Sequence, residues 1–498
     1  MTLIYTNSAQ NNVGFVDITD PTAPVSMGIV ELNGEPTSVD IYGDYAAVGV
    51  NTSPDYINTK GRLDIVEIAT MEIVRTIWLG GQPDSVAFSP DGNYIVVAIE
   101  NERDEDLGEG IPPQMPAGFV VVVDSSKKSK PQRWKKSVID MTDLSGVGIP
   151  EDPEPEYVSV NEDNVAVITL QENNAIVLID LATLTITASF TAGTVDLENI
   201  DTEEEGVINQ SASLEAVPRE PDGVTWIDTH YFVTADEGDM DGGSRGFTIF
   251  DTSGSVVYGS GSDLDQISAS LGHYPDERSG NKGVEQENVA FGQFDGKDIL
   301  IVNLERANLA VIYEISDIED PAYVQAVPTA SGPEGVLTIP GRNLIVIACE
   351  VDERDAGMRS SLSIYEYGYN EPNYPTLMSI RGVKNGVAIP WSAMSGLSPG
   401  KDEDTLYAVD DSFYNKSRIF TNNTKESPAI VEAAVNIVDT NGVFASAPIT
   451  DDEFTAEDVS AMINDDGTVN LDPEGIAMDD DGNFYIASEG SAVSLFSV

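Results

Sequence analysis

The sequence predicts an all-β protein, a β-propeller made of four-stranded blades. Three observations support this prediction: the chain has 498 residues, short apolar strand-like runs recur along it, and helical periodicity is almost absent. At seven places a turn that carries acidic residues, and in all but one case Pro, precedes a strand rich in small and β-branched residues. These turns begin at Gly34, Gly81, Glu154, Glu220, Glu285, Gly332 and Asp472.

Each turn opens a unit of four predicted strands. After the first strand comes an apolar strand such as residues 94–99, and then a third strand that ends in an acid, such as residues 119–124. A fourth, amphipathic strand such as residues 72–77 completes the unit. Units of roughly 45–65 residues with four short strands are typical of propellers. Radial stacking buries both faces of the inner strands, which explains their continuous apolar runs.

The number of blades is predicted to be seven or eight. A further first strand, without the carboxylate, is predicted near Met394. The chain begins at a second strand, so a C-terminal segment would have to supply the missing first strand and close the ring. We expect residues 1–380 to form the first set of blades, and residues 381–498 either to continue that ring or to start a second propeller.

The charge of the chain is strongly acidic. Lys and Arg number 25 against 85 Asp and Glu, which gives a net charge of -60. Such a surface repels nucleic acid and anionic lipid, because both are bound through positive charge. It attracts cations, and either adaptation to salty water or multiple calcium sites would explain it. Composition by itself favours adaptation to salt.

Cysteine and histidine are scarce in this chain, which limits the kinds of catalytic and metal site that it can form. The one cysteine, Cys349, lies in an apolar run and is predicted to be a buried small hydrophobic side chain. The two histidines, His230 and His273, argue against a zinc site with histidine ligands and against a histidine-based nucleophile triad.

Nothing in the sequence predicts a membrane span or a signal peptide. No apolar run of about 18 residues occurs, which is the length that crosses a bilayer. The first residues run directly into a strand-like pattern. The chain is therefore either cytoplasmic or a mature or trimmed chain, and we favour the trimmed chain because of the resemblance described below.

A ring of carboxylates is predicted at the hub. The turn before an innermost strand lies at one mouth of a propeller channel, so a repeated acid there places like charges close together. They cannot all stay ionised unless cations or solvent compensate them. Oxygen ligands in a flexible ring suit Ca²⁺ better than Mg²⁺. The alternative is a solvated acidic mouth in which the acids only form turns. The predicted metal ligands are Glu35, Asp84, Glu156, Asp222, Glu287, Glu334 and Glu474.

A second acidic group follows an apolar strand. Asp236, Glu237 and Asp239, with Asp241 after them, have a spacing that suits a small calcium loop. They lack the twelve-residue EF-hand pattern, and a simple turn is the alternative.

Phosphate chemistry would require positive charge beside the metal. Arg306 follows Glu305 at a strand end, and Arg278 and Lys282 precede the turn at Glu285. We expect these three cations to bind a phosphoryl group. The alternative for Arg306 is an ion pair with an acid of a neighbouring blade, such as Glu334.

Several motifs occur in series within about residues 1–370. They include Glu220-Pro-Asp-Gly-Val-Thr, Tyr231-Phe-Val-Thr-Ala-Asp-Glu-Gly-Asp, Asp276-Glu-Arg-Ser-Gly-Asn-Lys-Gly-Val-Glu-Gln-Glu, Asn303-Leu-Glu-Arg and Gly332-Pro-Glu-Gly-Val. In this order they resemble the choice-of-anchor I propeller family. Where the family tends to read Pro-Glu-Pro-Glu, this chain has Val-Glu-Gln-Glu at 284–287, and the acids are kept. The resemblance implies a secreted or surface-anchored protein.

The last part of the chain, about residues 390–498, has different motifs, which are Gly396-Leu-Ser-Pro, the run from Leu406 to Phe420 and Leu471-Asp-Pro-Glu-Gly-Ile-Ala. These stretches resemble the phytase-like esterase propeller domain. Lys416 and Arg418 match the motif of that family. The stretch is cut short at Val498, which places a complete active site of that family in question.

Together these features favour a secreted calcium-binding propeller that acts as a metal-dependent phosphoesterase of the alkaline phosphatase or phytase-like kind. The alternative is a non-catalytic propeller of the cell surface or an extracellular layer that binds a protein or glycan. The expected partner is a phosphorylated small molecule or a surface partner, without nucleic acid. The expected location is extracellular, periplasmic or at the cell surface.

Overall fold

The chain forms two compact units in a computed structural model. The residues that the structure describes are 1–127, 129–240, 242–368, 376–379, 386–425, 427–444, 446, 455–489 and 494–497. Unit 1 comprises Met1–Asp196, Glu215–Gly261 and Glu285–Tyr367. Unit 2 comprises Leu197–Leu214, Ser262–Val284 and Gly368–Val498.

Seven antiparallel sheets make up unit 1 within the described residues. The first and last have three strands, and the five between them have four. The first three sheets contain β1 (Thr2–Asn7), β2 (Asn12–Asp17) and β3 (Val25–Glu31); β4 (Glu35–Tyr42), β5 (Tyr45–Asn51), β6 (Gly61–Glu67) and β7 (Glu72–Trp78); and β8 (Pro83–Phe88), β9 (Tyr94–Ile99), β10 (Phe119–Asp124) and β11 (Lys135–Asp140).

The next four sheets follow the same order along the chain, apart from one short hairpin. They contain β12 (Pro155–Val160), β13 (Val165–Leu170), β14 (Ala175–Asp180) and β15 (Thr185–Thr191); β18 (Val224–Trp226), β19 (Tyr231–Asp236), β20 (Gly246–Asp251) and β21 (Val256–Gly259); β22 (Val289–Phe294), β23 (Lys297–Leu304), β24 (Leu309–Glu314) and β25 (Ala322–Pro328); and β26 (Pro333–Ile339), β27 (Leu344–Cys349) and β28 (Ser361–Glu366). The hairpin pairs β16 (Thr194–Ile200) with β17 (Ala212–Pro218).

Unit 2 contains a five-stranded sheet and a three-stranded sheet. The five-stranded sheet has the order β29-β33-β32-β31-β30, with β29 (Leu377–Met378), β30 (Met394–Pro399), β31 (Thr405–Asp410), β32 (Arg418–Asn423) and β33 (Ala429–Asn436). The other consists of β34 (Asp472–Met478), β35 (Phe484–Glu489) and β36 (Ser494–Ser497). Among the described residues, the helices of unit 2 are α1 (Asp263–Leu271), α2 (Ala456–Ala461) and a short 3-10 helix at Asp276–Arg278. The described part of unit 1 has short 3-10 helices at Ser8–Gln10, Gly108–Gly110, Pro131–Arg133, Pro340–Arg342 and Arg354–Ala356.

The strand patterns follow from burial between sheets. In β10 the residues Val120 to Val123 are all buried, because the sheets on either side cover both of its faces. In the outermost strand β11 only Ile139 is buried, and Val138 beside it points into solvent. The cores therefore lie between adjacent sheets, as in the cluster that joins β5 and β6 to β9 and β10.

The first and last sheets of unit 1 are also packed together. Leu3 and Ile18 form a hydrophobic cluster with Leu344 and Val346. The Arg342 guanidinium donates hydrogen bonds to the backbone carbonyls of Ile18 and Thr19, at 2.6 and 3.0 Å. We call this contact the seam; it joins the first and last of the seven sheets.

The predicted all-β propeller fold of four-stranded units is confirmed. The sheet of β1, β2 and β3 has three strands, and no strand in the described part of the chain pairs with the free edge of β1. Cys349 is free and buried, as expected from its apolar run. Among the residues that the structure describes, no helix is long and apolar enough to cross a membrane.

Candidate metal centre

The predicted acids occupy a repeated backbone irregularity. In several innermost strands, pairing with the second strand shifts just after a proline, and the residue after that proline lies in the resulting β-bulge. Bulges of this kind turn a side chain away from the regular ladder. The acids placed in this way are Asp84, Glu156, Glu334 and, in unit 2, Glu474.

A second set of carboxylates comes from the ends of the second strands. Antiparallel pairing sets the start of β8 opposite the end of β9, with Pro83 across from Ile99. Asp84 lies in the bulge after Pro83, outside the regular ladder, and its carboxylate is close to that of Glu100, the acid that follows Ile99. Glu237 follows β19 and Glu305 follows β23 in the same way.

Acids of these two sets form close groups in unit 1 together with Asp222 and Glu287, which precede β18 and β22. In each group, one carboxylate oxygen per residue lies within 4.8 Å of the others. The groups are Asp84 with Glu100 and Glu156, Asp222 with Glu237 and Glu287, and Glu287 with Glu305 and Glu334. The last two groups share Glu287. We call their five residues the five-carboxylate centre; it draws on the three successive sheets that begin with β18, β22 and β26.

Burial and repulsion between carboxylates raise the pKa values of four members of this centre, which are Asp222, Glu287, Glu305 and Glu334. For Asp222 and Glu287 burial is the larger cause of a pKa well above the ordinary value, and Glu237 adds to it in both cases. Burial, reinforced by Glu350 and Glu305, raises the pKa of Glu334 to about 8. A hydrogen bond between the carboxyl groups of Glu287 and Glu305 further raises the pKa of Glu287. Unless a cation compensates their charge, part of the centre is protonated at neutral pH.

The group of Asp84, Glu100 and Glu156 behaves similarly. Burial, followed by the charge of Glu102, raises the pKa of Asp84 to about 7. Burial and then the neighbouring carboxylates raise the pKa values of Glu100 and Glu156 well above their ordinary range.

The donor set fits a hard divalent cation. All the grouped side chains offer carboxylate oxygen, and none offers nitrogen or sulfur. Oxygen-only ligands suit Ca²⁺ and, with fewer protein ligands, Mg²⁺. A divalent cation would also remove the repulsion that raises the pKa values. The chemistry of these residues is therefore compatible with the predicted calcium ligands.

Arg306 lies at the edge of the five-carboxylate centre. Its Nε is 2.8 Å from Glu285 Oε2 and its Nη1 is 2.6 Å from Glu305 Oε1. The side chain is 44% exposed, so solvent reaches the guanidinium. The ion-pair alternative named Glu334 as an example, whereas the acids that pair with Arg306 are Glu285 and Glu305.

The other two predicted substrate-binding cations belong to unit 2. Arg278 ends a short 3-10 helix and Lys282 follows four residues later, and both are half-buried. The five-carboxylate centre and Arg306 belong to unit 1. Binding of a phosphoryl group by Arg278 and Lys282 stays a prediction.

Of the predicted calcium loop, Glu237 joins the five-carboxylate centre and the two flanking acids do not. Asp236 is buried and accepts hydrogen bonds from the hydroxyl groups of Thr234, Ser244 and Thr248. Burial raises the pKa of Asp236 to about 6. Asp241 lies outside the described residues.

Asp239 is instead held by a buried arginine. Arg103 forms ion pairs with Asp239, with Glu172 at 2.5 Å and with Glu154 at 3.5 Å. Arg103 also lies 3.9 Å from the exposed Glu105, so its guanidinium is a counter-ion for four carboxylates, and it takes the place that a cation would have at Asp239.

Two predicted ligands lie apart from the groups of unit 1. Glu35 precedes Pro36 instead of following it, so Thr37 occupies the bulge and Glu35 is exposed. Glu474 belongs to unit 2, where it groups with Asp411 and Asp472.

Sequence reasoning missed Glu100, Glu305, Asp411 and Asp472. A signal for the first three was present, because each follows closely on an apolar second strand. The repeated acid after the second strand is as regular as the acid after the proline, and pairing the two patterns would have found these residues.

The fold and the site together define a β-propeller whose inner strands carry clustered carboxylates. Residues 1–242 and 240–318 match the choice-of-anchor I domain. This match spans more than half of the chain, so the chain belongs to the choice-of-anchor I family. Residues 389–496 match the family described as esterase-like activity of phytase. Both matches confirm the predicted order of the two resemblances.

Two solved structures with TM-scores of at least 0.50 agree on the fold. U3-55K is 8% identical, with a TM-score of 0.51 over 74% of this chain and 92% of that chain. The RRP9 WD40 repeats are 8% identical, with a TM-score of 0.50 over 73% of this chain and 90% of that chain. Hydrazine synthase of Kuenenia stuttgartiensis is 14% identical, with a TM-score of 0.46 over 74% of this chain and 93% of that chain. No curated protein sequence matches the chain.

Proposed function

We propose that this protein is a calcium-binding β-propeller of the cell surface or the extracellular space, and that it hydrolyses phosphate esters. Membership of the choice-of-anchor I family supports a surface or extracellular location. The match of residues 389–496 to the esterase-like activity of phytase supports hydrolysis. The observation that carries the proposal is the five-carboxylate centre with Arg306 beside it.

The five carboxylates are the ligands in this proposal. Glu287 is shared by both groups, and a hydrogen bond between its carboxyl group and that of Glu305 requires one proton between the two side chains. A Ca²⁺ held by these carboxylates would supply positive charge for an anionic ester. If this proton were lost, both carboxylates would carry a full negative charge and could bind a cation.

Arg306 is the residue that we assign to the phosphoryl group. A guanidinium offers two parallel N–H donors to phosphate oxygens. Arg306 is half-exposed, and Glu285 and Glu305 hold its guanidinium in place at the edge of the centre. A substrate anion would therefore meet Arg306 at the border between solvent and the carboxylates.

The same contacts also support a second candidate, a non-catalytic surface propeller with a structural cation. Arg306 already has two carboxylate partners, which satisfies it without a substrate. The five-carboxylate centre draws ligands from three successive sheets, so a bound cation would crosslink them. In this candidate function the ring presents its loops to a protein or glycan partner.

Hydrolysis of a generic phosphomonoester by the full chain at mildly alkaline pH distinguishes the two candidates. The phosphoesterase requires turnover that EGTA removes and added Ca²⁺ restores, and that Arg306→Ala abolishes. The matched control is Arg354→Ala, because Arg354 is an exposed arginine of unit 1 that pairs only with Asp352 among the described residues. Absence of turnover in every condition, with thermal stability still raised by Ca²⁺, would leave the structural-cation candidate. Turnover that EGTA leaves unchanged would contradict the proposal that catalysis takes place at the five-carboxylate centre.

A further inference from the structure

A cavity in unit 2 combines apolar walls with two cations. Its volume is about 440 Å³, and the residues that line it all belong to unit 2. Six of its twelve lining residues are apolar, and two are the cations Lys416 and Arg418. These cations match the motif of the phytase-like family, and the function proposed for unit 1 does not use them. The apolar lining residues are Val207, Ile208, Ala388, Ile389, Pro390 and Ala434.

The guanidinium of Arg418 is held in one orientation by its neighbours. Its Nε donates to Oδ2 of the fully buried Asp410 at 2.9 Å, and its Nη1 donates to the Pro390 carbonyl at 2.8 Å. The carbon of the guanidinium also lies 4.8 Å from the ring centre of Phe420 and 5.6 Å from that of Tyr414. Because these contacts exist without a ligand, the group is preorganised.

The third nitrogen of this guanidinium is free to bind a ligand. Within the described part of the chain, Nη2 of Arg418 donates no hydrogen bond, and it is not shielded from solvent. The side chain is only 14% exposed and lines the cavity, so its accessible part faces the cavity. Guanidinium donors bind anionic oxygen more strongly than neutral oxygen. An anionic group is therefore the acceptor that fits Nη2 best.

The surrounding charges favour an anion with a single charge. Arg418 is already paired with Asp410, and Lys416 Nζ lies 2.9 Å from Asp466 Oδ2. The carboxylate of Glu205 adds negative charge to the lining. Since each cation has a counter-ion, a doubly charged phosphate would meet repulsion that a carboxylate meets only in part.

The walls of the cavity suit an aliphatic ligand body. Val207 and Ile389 are half-buried, and Ile208 is buried. Cavities of this size that bind small molecules are lined mainly by apolar side chains, and a few polar groups fix the orientation of the ligand. An aliphatic chain would displace water from these side chains, which favours binding.

We propose that this cavity binds a small organic acid with one carboxylate and an aliphatic chain. The carboxylate accepts hydrogen bonds from Arg418 Nη2, and Lys416 adds positive charge at the same wall. The chain lies against Val207, Ile208 and Ile389. This binding site goes beyond the function proposed for unit 1 and does not rest on it.

Titration calorimetry of the full chain with octanoate, at physiological salt, tests this proposal. We expect saturable binding of octanoate. Octanamide should bind ~10-fold or more weakly, because it has the same chain and lacks the charge that strengthens the hydrogen bonds to Arg418. Butanoate should also bind ~10-fold or more weakly, because its shorter chain buries fewer methylene groups.

Two substitutions locate the site. Arg418→Lys keeps a cation for the buried Asp410 but removes the Nη2 donors, and it should weaken octanoate binding by ~10-fold or more. Val207→Asp leaves Arg418 in place and adds a negative charge to the wall, so it should weaken octanoate binding by ~10-fold as well. Val443→Asp is the matched control, because Val443 is an exposed valine of unit 2 outside the cavity lining, and it should leave the affinity unchanged.

The opposite results would overturn the proposal. Equal affinity for octanoate and octanamide would mean that the charge is not recognised. Octanoate binding that neither Arg418→Lys nor Val207→Asp weakens would place the acid elsewhere on the chain, and the absence of saturable binding would reject the site. Val207 is half-buried, so an aspartate there reaches solvent, and Val207→Asp keeps the test decisive even where Arg418→Lys is unstable.

Discussion

In the absence of divalent cations, the stability of unit 1 should fall as the pH rises. Folding raises the pKa of Asp84 from 3.8 to about 7 and that of Glu334 from 4.5 to about 8, in both cases mainly through burial. The folded state therefore holds protons that the unfolded state has already released at the same pH. Stability is then lost progressively between the unfolded and the folded pKa values, from about pH 4 to about pH 8.

The size of the effect follows from the shift. For Asp84 the pKa rises by ~3 units, and at 1.36 kcal/mol per unit this corresponds to about 4 kcal/mol. Asp84 is partly accessible to solvent, which screens its charge, so we expect about half of this value, ~2 kcal/mol. At about 2 °C per kcal/mol for a large domain, the melting temperature should fall by ~4 °C for this one group.

Calorimetric melting of the full chain across this pH range, in EGTA and in Ca²⁺, measures the effect. Ca²⁺ should flatten the pH dependence, because a bound cation replaces the protons. Glu334→Gln should also reduce the slope in EGTA, because a neutral amide does not titrate. A melting temperature that rises with pH in EGTA, or a slope that neither Ca²⁺ nor Glu334→Gln changes, would refute the reasoning.

Three further substitutions have expected outcomes. Glu287→Gln should weaken Ca²⁺ binding in titration calorimetry by ~10-fold or more, because it removes the ligand common to both groups, whereas Glu35→Gln should leave it unchanged. Arg103→Met should lower the free energy of unfolding in denaturant by ~3–5 kcal/mol, since four carboxylates lose their buried counter-ion, and a loss below 1 kcal/mol would contradict this. Gly238→Ala should lower the melting temperature by several degrees, because φ is +86° and a Cβ would collide with Gly243; an unchanged melting temperature would show that the loop can relax.

The sequence predicted the fold because its signal is repeated. Each blade repeats the turn and the apolar runs, so errors in single strands do not change the architecture. The acids of the turns were visible for the same reason, and Asp84, Glu156 and Glu334 lie where the repeat places them. Glu35 shows where prediction from the repeat fails. In this turn the acid precedes the proline instead of following it, and its carboxylate therefore lies outside the bulge.

The partners of these acids depend on pairing that one sequence does not specify. Whether Glu100 meets Asp84 is decided by the register between β8 and β9 and by the bulge after Pro83. Asp239 looked like a calcium ligand because its counter-ion, Arg103, is 136 residues away in the chain. Local spacing cannot reveal a contact of that length.

The seam is the weakest connection between neighbouring sheets in unit 1. Elsewhere neighbouring strands within a sheet share ladders of backbone hydrogen bonds, and each sheet is covalently linked to the next. Between the first and last sheets the contacts seen among the described residues are a small apolar cluster and three hydrogen bonds from Arg342, to the carbonyls of Ile18 and Thr19 and to Met1 Sδ. A force that pulls these two sheets apart would act on this contact alone. We therefore expect the seam to separate before any sheet loses its strands. Amide hydrogens of β1 and β28 would then exchange ahead of those in β9 and β13.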